Sequence, residues 1–138
     1  MDRKDVVIAV VLRAGKVLIC QRRKNDPFGG YWEFPGGKRE ADETPEQSLV
    51  RELREELELD VTPIRAFAPI EHDYPSIRVR LLPYQCECET GEPKPIACEQ
   101  LAWVQPHQLC EYRFPEANAP LIELIAAELA APPGELDK

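Results

Sequence analysis

Seven consecutive apolar residues, Val6-Val7-Ile8-Ala9-Val10-Val11-Leu12, constrain the fold more than any other stretch of this chain. The run is short, mostly β-branched and apolar at every position, which reads as a buried strand. Arg13-Ala14-Gly15-Lys16 reads as a turn and Val17-Leu18-Ile19-Cys20 as a second β-rich run, so a hairpin opens the chain.

Further strands are expected at Tyr31–Phe34, along the alternating stretch from Ile77 to Cys88, and at Leu101–Val104. Residues 22–30 have the composition of a surface loop, and Pro35-Gly36-Gly37-Lys38 reads as a flexible loop beyond the third strand. Leu121, Ile122, Leu124, Ile125 and Leu129 recur at helical spacing and predict a closing amphipathic helix. Strands interrupted by two helical segments predict an α/β domain, a mixed sheet with helices on both faces. With 138 residues there is material for one core, so residues 1–131 are expected to form a single domain and 132–138 to fray.

Composition narrows the function. A net charge of −8 disfavours a nucleic-acid polymer as partner. No stretch nears the ~20 apolar residues of a membrane span, and the start lacks a signal-peptide layout, so a cytoplasmic protein without a membrane partner is expected. The five cysteines fit free thiols better than a disulfide framework. His107 and Cys110 lie three apart, but a zinc site there would have to borrow distant cysteines.

The acidity is local. Residues 40–60 carry nine acidic side chains against two basic ones, a net charge of −7. Thr44 as N-cap, Pro45 at the first helical position and Gln47 at the capping-box position predict a helix from Pro45 to about Leu57. Leu49, Val50, Leu53 and Leu57 share an arc of about 100° that forms its core face, and Glu52, Glu55 and Glu56 share a second arc flanking it. Arg51 can pair with Glu55 and Arg54 with Glu58, while Glu52 and Glu56 repel. The acids also crowd the C-terminal half, where the macrodipole disfavours negative charge. A solvated acidic face would explain such a run, and so would a site for a hard divalent cation such as Mg²⁺ beside the glycine loop.

The spacing of these residues resembles the signature box of the Nudix hydrolases: Gly37, Glu43 after five residues, then Arg51-Glu52-Leu53-Arg54-Glu55-Glu56 after seven, and Leu59. One position departs, since Glu58 stands where the box has glycine, at the helix exit. Arg22, the run Trp32-Glu33-Phe34-Pro35-Gly36-Gly37-Lys38 and the segment Phe114-Pro115-Glu116-Ala117-Asn118 are similar to the MutT branch, nucleoside triphosphate pyrophosphohydrolases that act on oxidised nucleotides. The resemblance implies a Nudix α/β/α sandwich, dependence on Mg²⁺ or Mn²⁺, and release of a nucleoside monophosphate and pyrophosphate. It implies Gly36, Glu52, Glu55 and Glu56 as metal ligands and Glu52 as the group that activates water. Arg51 would hold the catalytic glutamates in place, and Glu43 would support the loop or the base. Arg22, Glu33, Phe34, Pro35, Gly36, Lys38 and Asn118 would bind substrate, and Glu99 is a further, weaker candidate ligand. The protein is expected to act on a small nucleotide as a monomer or homodimer.

Three functions are set against one another: hydrolysis of 8-oxo-dGTP, hydrolysis of CTP, dCTP or an ADP-sugar, and non-catalytic recognition of 8-oxoguanine. Retention of Glu52, Glu55 and Glu56 speaks against the last. Asn118 could cap the closing helix, but Pro120 pushes the preceding residue out of the helical region, so the helix is expected to begin at Pro120 with Ala119 as cap. That leaves the Asn118 amide free, with a donor and an acceptor to offer a base edge, where the resemblance places a base-reading asparagine.

Overall fold

The apolar run lies within an eleven-residue strand, β1 (Arg3–Arg13), at the middle of an eight-stranded sheet. The computed structural model describes residues 3–129, and the fraying expected at 132–138 lies outside the described residues. Along the chain follow β2 (Lys16–Gln21), β3 (Trp32–Glu33), β4 (Gly36–Lys38), α1 (Pro45–Leu57), β5 (Thr62–Ala66), β6 (Ile70–Tyr74), β7 (Ile77–Glu87), β8 (Gln100–Val104) and α2 (Ala119–Glu128). β1 runs parallel to β7 and antiparallel to β2 and β4, so the sheet is mixed.

Both faces of β1 are covered, as a strand without polar side chains requires. Val7, Ala9 and Val11 meet Leu49, Leu53 and Leu57 of α1 on one face. Ile8 and Val10 share the opposite core with Leu121 and Ile125 of α2. The result is the expected α/β sandwich. The opening hairpin turns through Ala14 and Gly15, both at positive φ (51° and 77°), with Arg13 opposite Lys16. Positive φ at both positions is what a two-residue turn needs to follow the strand twist.

Several elements depart from the expected pattern. Pro35–Lys38 is not a flexible loop: Gly36–Lys38 forms β4, pairing Val6 with Lys38, Val7 with Gly37 and Ile8 with Gly36. Neither β5 nor β6 was anticipated; β6 pairs with β7 across the two-residue turn Pro75-Ser76. In α1 the buried set is Ser48, Leu49, Leu53 and Leu57, and Val50 is half-exposed, because Ser48 is drawn inward by a hydrogen bond to Glu43. α2 starts at Ala119, not Pro120, which puts Asn118 rather than Ala119 in the N-cap position. Proline at the second helical position is compatible with that start, since its missing N–H has no intrahelical acceptor there.

Candidate active site

α1 starts where expected. The Thr44 hydroxyl accepts from the Gln47 amide at 3.1 Å, and the Gln47 side chain accepts from the Thr44 amide at 2.9 Å. This capping box fixes where the helix begins, and burial of Leu49, Leu53 and Leu57 fixes its rotation, which turns Glu52 and Glu56 toward β4.

Arg51 is the hub of the acidic helix. Its Nε and Nη2 donate to the two oxygens of Glu43 at 2.7 and 2.8 Å, and Nη1 donates to Glu52 at 3.1 Å and to Glu55 at 3.2 Å. Ser48 Oγ donates to Glu43 at 2.7 Å, and Arg39 Nη1 donates to the Glu43 carbonyl at 3.0 Å. The Arg51 guanidinium, helped by Ser48, holds the Glu43 carboxyl down to about 2. Arg54 does not pair with Glu58; it donates to Asp60 at 2.6 Å, and Glu58 pairs with Lys94 at 3.0 Å. The reason is the helix exit: Glu58 turns left-handed (φ 51°, ψ 38°), and its side chain leaves the i,i+4 row. The Lys94 amide caps the Leu57 carbonyl at 2.9 Å.

The two glycines of β4 are spaces for neighbours. A Cβ on Gly36 would strike the Val7 carbonyl oxygen, and one on Gly37 would strike the Glu52 carboxylate. Glu52 therefore lies directly on the strand, with its side chain only 13% exposed. Glu56 sits beside it, and burial first, then the charges of Glu52 and Glu33, raise its carboxyl to about 8. Glu33 is itself pushed up by burial, against the pull of Arg22, which donates to it at 2.6 Å. Behind them, Cys20 and Cys98 line a small cavity of about 150 Å³ with Glu33 and Glu56.

A cleft of about 280 Å³ brings together Arg22, Glu33, Phe34, Gly36, Lys38, Glu56 and Asn118. Pro35 is buried beneath it, its carbonyl accepting from the Ala9 amide at 2.8 Å. Asn118 makes no side-chain cap bond; its Nδ2 donates to the Pro115 carbonyl at 3.3 Å and its side chain borders the cleft. Glu52 faces an adjoining cleft of about 660 Å³. Glu55 is outside both, 59% exposed and turned to Arg51 along a groove on the outer surface of α1. Glu99 is exposed before β8, with its amide on the Gln21 carbonyl at 2.8 Å.

Sequence reasoning missed Lys4, which borders both clefts. Period-two counting along β1 puts Lys4 on the side of Val6 and Ile8, and that signal was available. The Cys110 thiol donates to the His107 carbonyl at 3.3 Å. Among the described residues no three His, Cys, Asp or Glu side chains already converge on a point suited to a metal ion. The donor set nonetheless fits a hard divalent cation: oxygen ligands only, and like-charged carboxylates packed where burial resists their ionisation.

By the family it belongs to, the chain is a hydrolase of phosphoric anhydrides. The NUDIX domain family matches residues 6–124, and the chain belongs to that family. The chain is 34% identical over 135 residues to a CTP pyrophosphohydrolase of Escherichia coli, covering 98% of this chain and all of that protein. It is also 34% identical over 131 residues to an 8-oxo-dGTP diphosphatase of Haemophilus influenzae, covering 93% of this chain and 96% of that protein. The solution structure of the E. coli ORF135 protein superposes with a TM-score of 0.82 at 34% identity, covering 96% of this chain and 95% of that one. No helix among the described residues is long and apolar enough to cross a membrane.

Proposed function

We propose that residues 1–131 form one catalytic domain that hydrolyses a nucleoside triphosphate to a nucleoside monophosphate and pyrophosphate, with 8-oxo-dGTP as preferred substrate. The observation that carries this reading is the single cleft holding Lys38 and Glu56 beside the Asn118 amide, cation and carboxylate for a phosphate chain and an amide for a base. Glu52, Glu56 and the Gly36 carbonyl, with Glu55 once it swings from its contact with Arg51, would hold Mg²⁺ or Mn²⁺, which when bound would supply charge neutralisation on the phosphates and an oriented water.

Glu52 takes the proton of the attacking water. The water oxygen bonds to phosphorus, the bond from that phosphorus to a bridging oxygen breaks, and the electron pair leaves on that oxygen. Arg51 fixes the Glu52 carboxylate and is itself fixed by Glu43. Arg22 and Lys38 bind phosphate oxygens, Glu33 orients Arg22, and Phe34 and Pro35 shape the wall. Asn118 hydrogen-bonds the base edge. A nucleotide pool places this chemistry in the cytoplasm.

A second reading, CTP or dCTP as substrate, is favoured by the full-length likeness to the CTP pyrophosphohydrolase. A panel of 8-oxo-dGTP, dGTP, CTP, dCTP and ADP-ribose with Mg²⁺, products resolved, tests both. The highest kcat/KM on 8-oxo-dGTP, with monophosphate and pyrophosphate formed, is expected; a higher value on CTP selects the second reading.

A further inference from the structure

Lys4 and Lys38 stand at the junction of two clefts that hold different halves of the site. The smaller cleft contains Glu56 and Asn118, and the larger, of about 660 Å³, contains Glu52, Asp5 and Glu40 with Arg3 and Arg39. The register of β1 on β4, Val6 opposite Lys38, sets Lys4 two residues along on the same face as Val6, so the lysines are close neighbours across the strand pair. Arg3 and Arg39 each lie 3.4 Å from Asp5, whereas neither Lys4 nor Lys38 has a carboxylate partner among the described residues.

We propose that the larger cleft is the subsite for the β- and γ-phosphates, the pair released as pyrophosphate, and that Lys4 binds them. The inference rests on the triphosphate reading and adds to it a direction for the substrate. Glu52 and Glu56 together mark the reacting phosphorus, yet each borders a different cleft. With the base on the Asn118 side, the phosphate chain passes the junction and continues on the Glu52 side. A chain of net charge −8 repels a polyphosphate at long range, so attraction has to come from cations set at the point of contact. Two unpaired ammonium groups on adjacent strands provide it, and Arg3 and Arg39 keep Asp5 from opposing them.

The test uses inorganic pyrophosphate and the nucleoside monophosphate as separate probes, titrated calorimetrically into the full chain with Mg²⁺. Lys4→Glu should weaken pyrophosphate binding by about tenfold or more, the scale of a charge-assisted phosphate contact, and weaken monophosphate binding clearly less, since Lys4 borders the smaller cleft only at its junction with the larger. Lys16→Glu, the same charge change at the distant hairpin, should alter neither, and melting curves check that both variants fold. Equal pyrophosphate affinity in Lys4→Glu and the wild type overturns the proposal, as does an equal loss for both probes. If wild-type protein hydrolyses no triphosphate while pyrophosphate binding still depends on Lys4, the triphosphate reading fails and the anion subsite stands.

Discussion

Arg51 and Glu43 face each other through two parallel hydrogen bonds of 2.7 and 2.8 Å, and the one guanidinium nitrogen left over reaches both Glu52 and Glu55. The fork locks the plane of the guanidinium, and that plane locks Glu52. Lysine keeps the charge but cannot make two parallel bonds. Arg51→Lys should lower kcat on the order of 10- to 100-fold, as loss of a supporting partner does, with KM for the nucleotide nearly unchanged. Steady-state kinetics decide; a raised KM with kcat intact would put Arg51 on the substrate instead.

The same pair sets an acid limit. Glu43 is held at about 2 in the folded chain, chiefly by Arg51, against an ordinary value of 4.5. A depressed carboxylate contributes stability that is complete above pH 4.5 and is lost as pH falls toward 2. Glu43→Gln should therefore melt at a temperature that varies less across that window than the wild type. Identical slopes for the two proteins would remove Glu43 from the acid transition.

Glu56 runs the other way. Raised to about 8, mainly by burial and then by Glu52 and Glu33, it keeps a proton that the unfolded chain has already lost above pH 4.5. Without metal, stability should fall as pH climbs from 4.5 to 8, and Glu56→Gln should flatten that slope. Mg²⁺ with nucleotide should raise the melting temperature of the wild type and release a proton on binding near neutral pH. Calorimetry in two buffers of different ionisation enthalpy measures the proton. Glu52→Gln, Glu55→Gln and Glu56→Gln should each lose turnover and keep the fold; a variant with wild-type turnover at saturating Mg²⁺ strikes that residue from the ligand set.

The β4 glycines separate folding from chemistry. At Gly36 an added methyl meets the backbone of β1, which cannot give way without breaking the strand pair; at Gly37 it meets the end of the Glu52 side chain, which can rotate off. Gly36→Ala should be strongly destabilising, while Gly37→Ala should fold and lose activity because Glu52 is displaced. Urea titration and turnover of the two variants show this contrast, and an inactive but fully stable Gly36→Ala would contradict it.

How much of this could be read beforehand depends on which residues speak for themselves. The β1 run and the Thr44-Pro45-Gln47 start of α1 carry their own signals, apolar at every position or capped within one turn, and both lie where they were expected. β4 could not be read that way: two glycines and a lysine have no apolar face, and the strand exists because β1 pairs with it. β6, Ile70-Glu71-His72-Asp73-Tyr74, has a half-buried face of Ile70, His72 and Tyr74, and a histidine at its centre breaks the apolar signal a strand would give. Around the site, alternation along β1 already put Lys4 on the side of Val6 and Ile8, but its place beside Lys38 emerges only from the register of β1 on β4, and the pairing of Arg54 with Asp60 only from the left-handed exit at Glu58.

Asn118 holds the N-cap position of α2, yet its side chain makes no cap hydrogen bond. Its backbone is already helical (φ −85°, ψ −10°), following the short turn Glu116–Asn118, whereas a capping side chain works from an extended backbone. The amide instead donates to the Pro115 carbonyl at 3.3 Å and, 9% exposed, borders the cleft next to Phe34 and Leu81. An amide so placed among apolar walls discriminates by what it leaves unpaired: a base edge that matches it keeps the bond, and one that does not strands a buried polar group. Asn118→Ala should raise KM for 8-oxo-dGTP far more than for dGTP, and cost less than the roughly 1 kcal/mol lost with a working N-cap. Competition kinetics with the two nucleotides, alongside urea unfolding, measure both quantities. Unchanged selectivity with a clear loss of stability would return Asn118 to a purely structural part and favour CTP-type substrates.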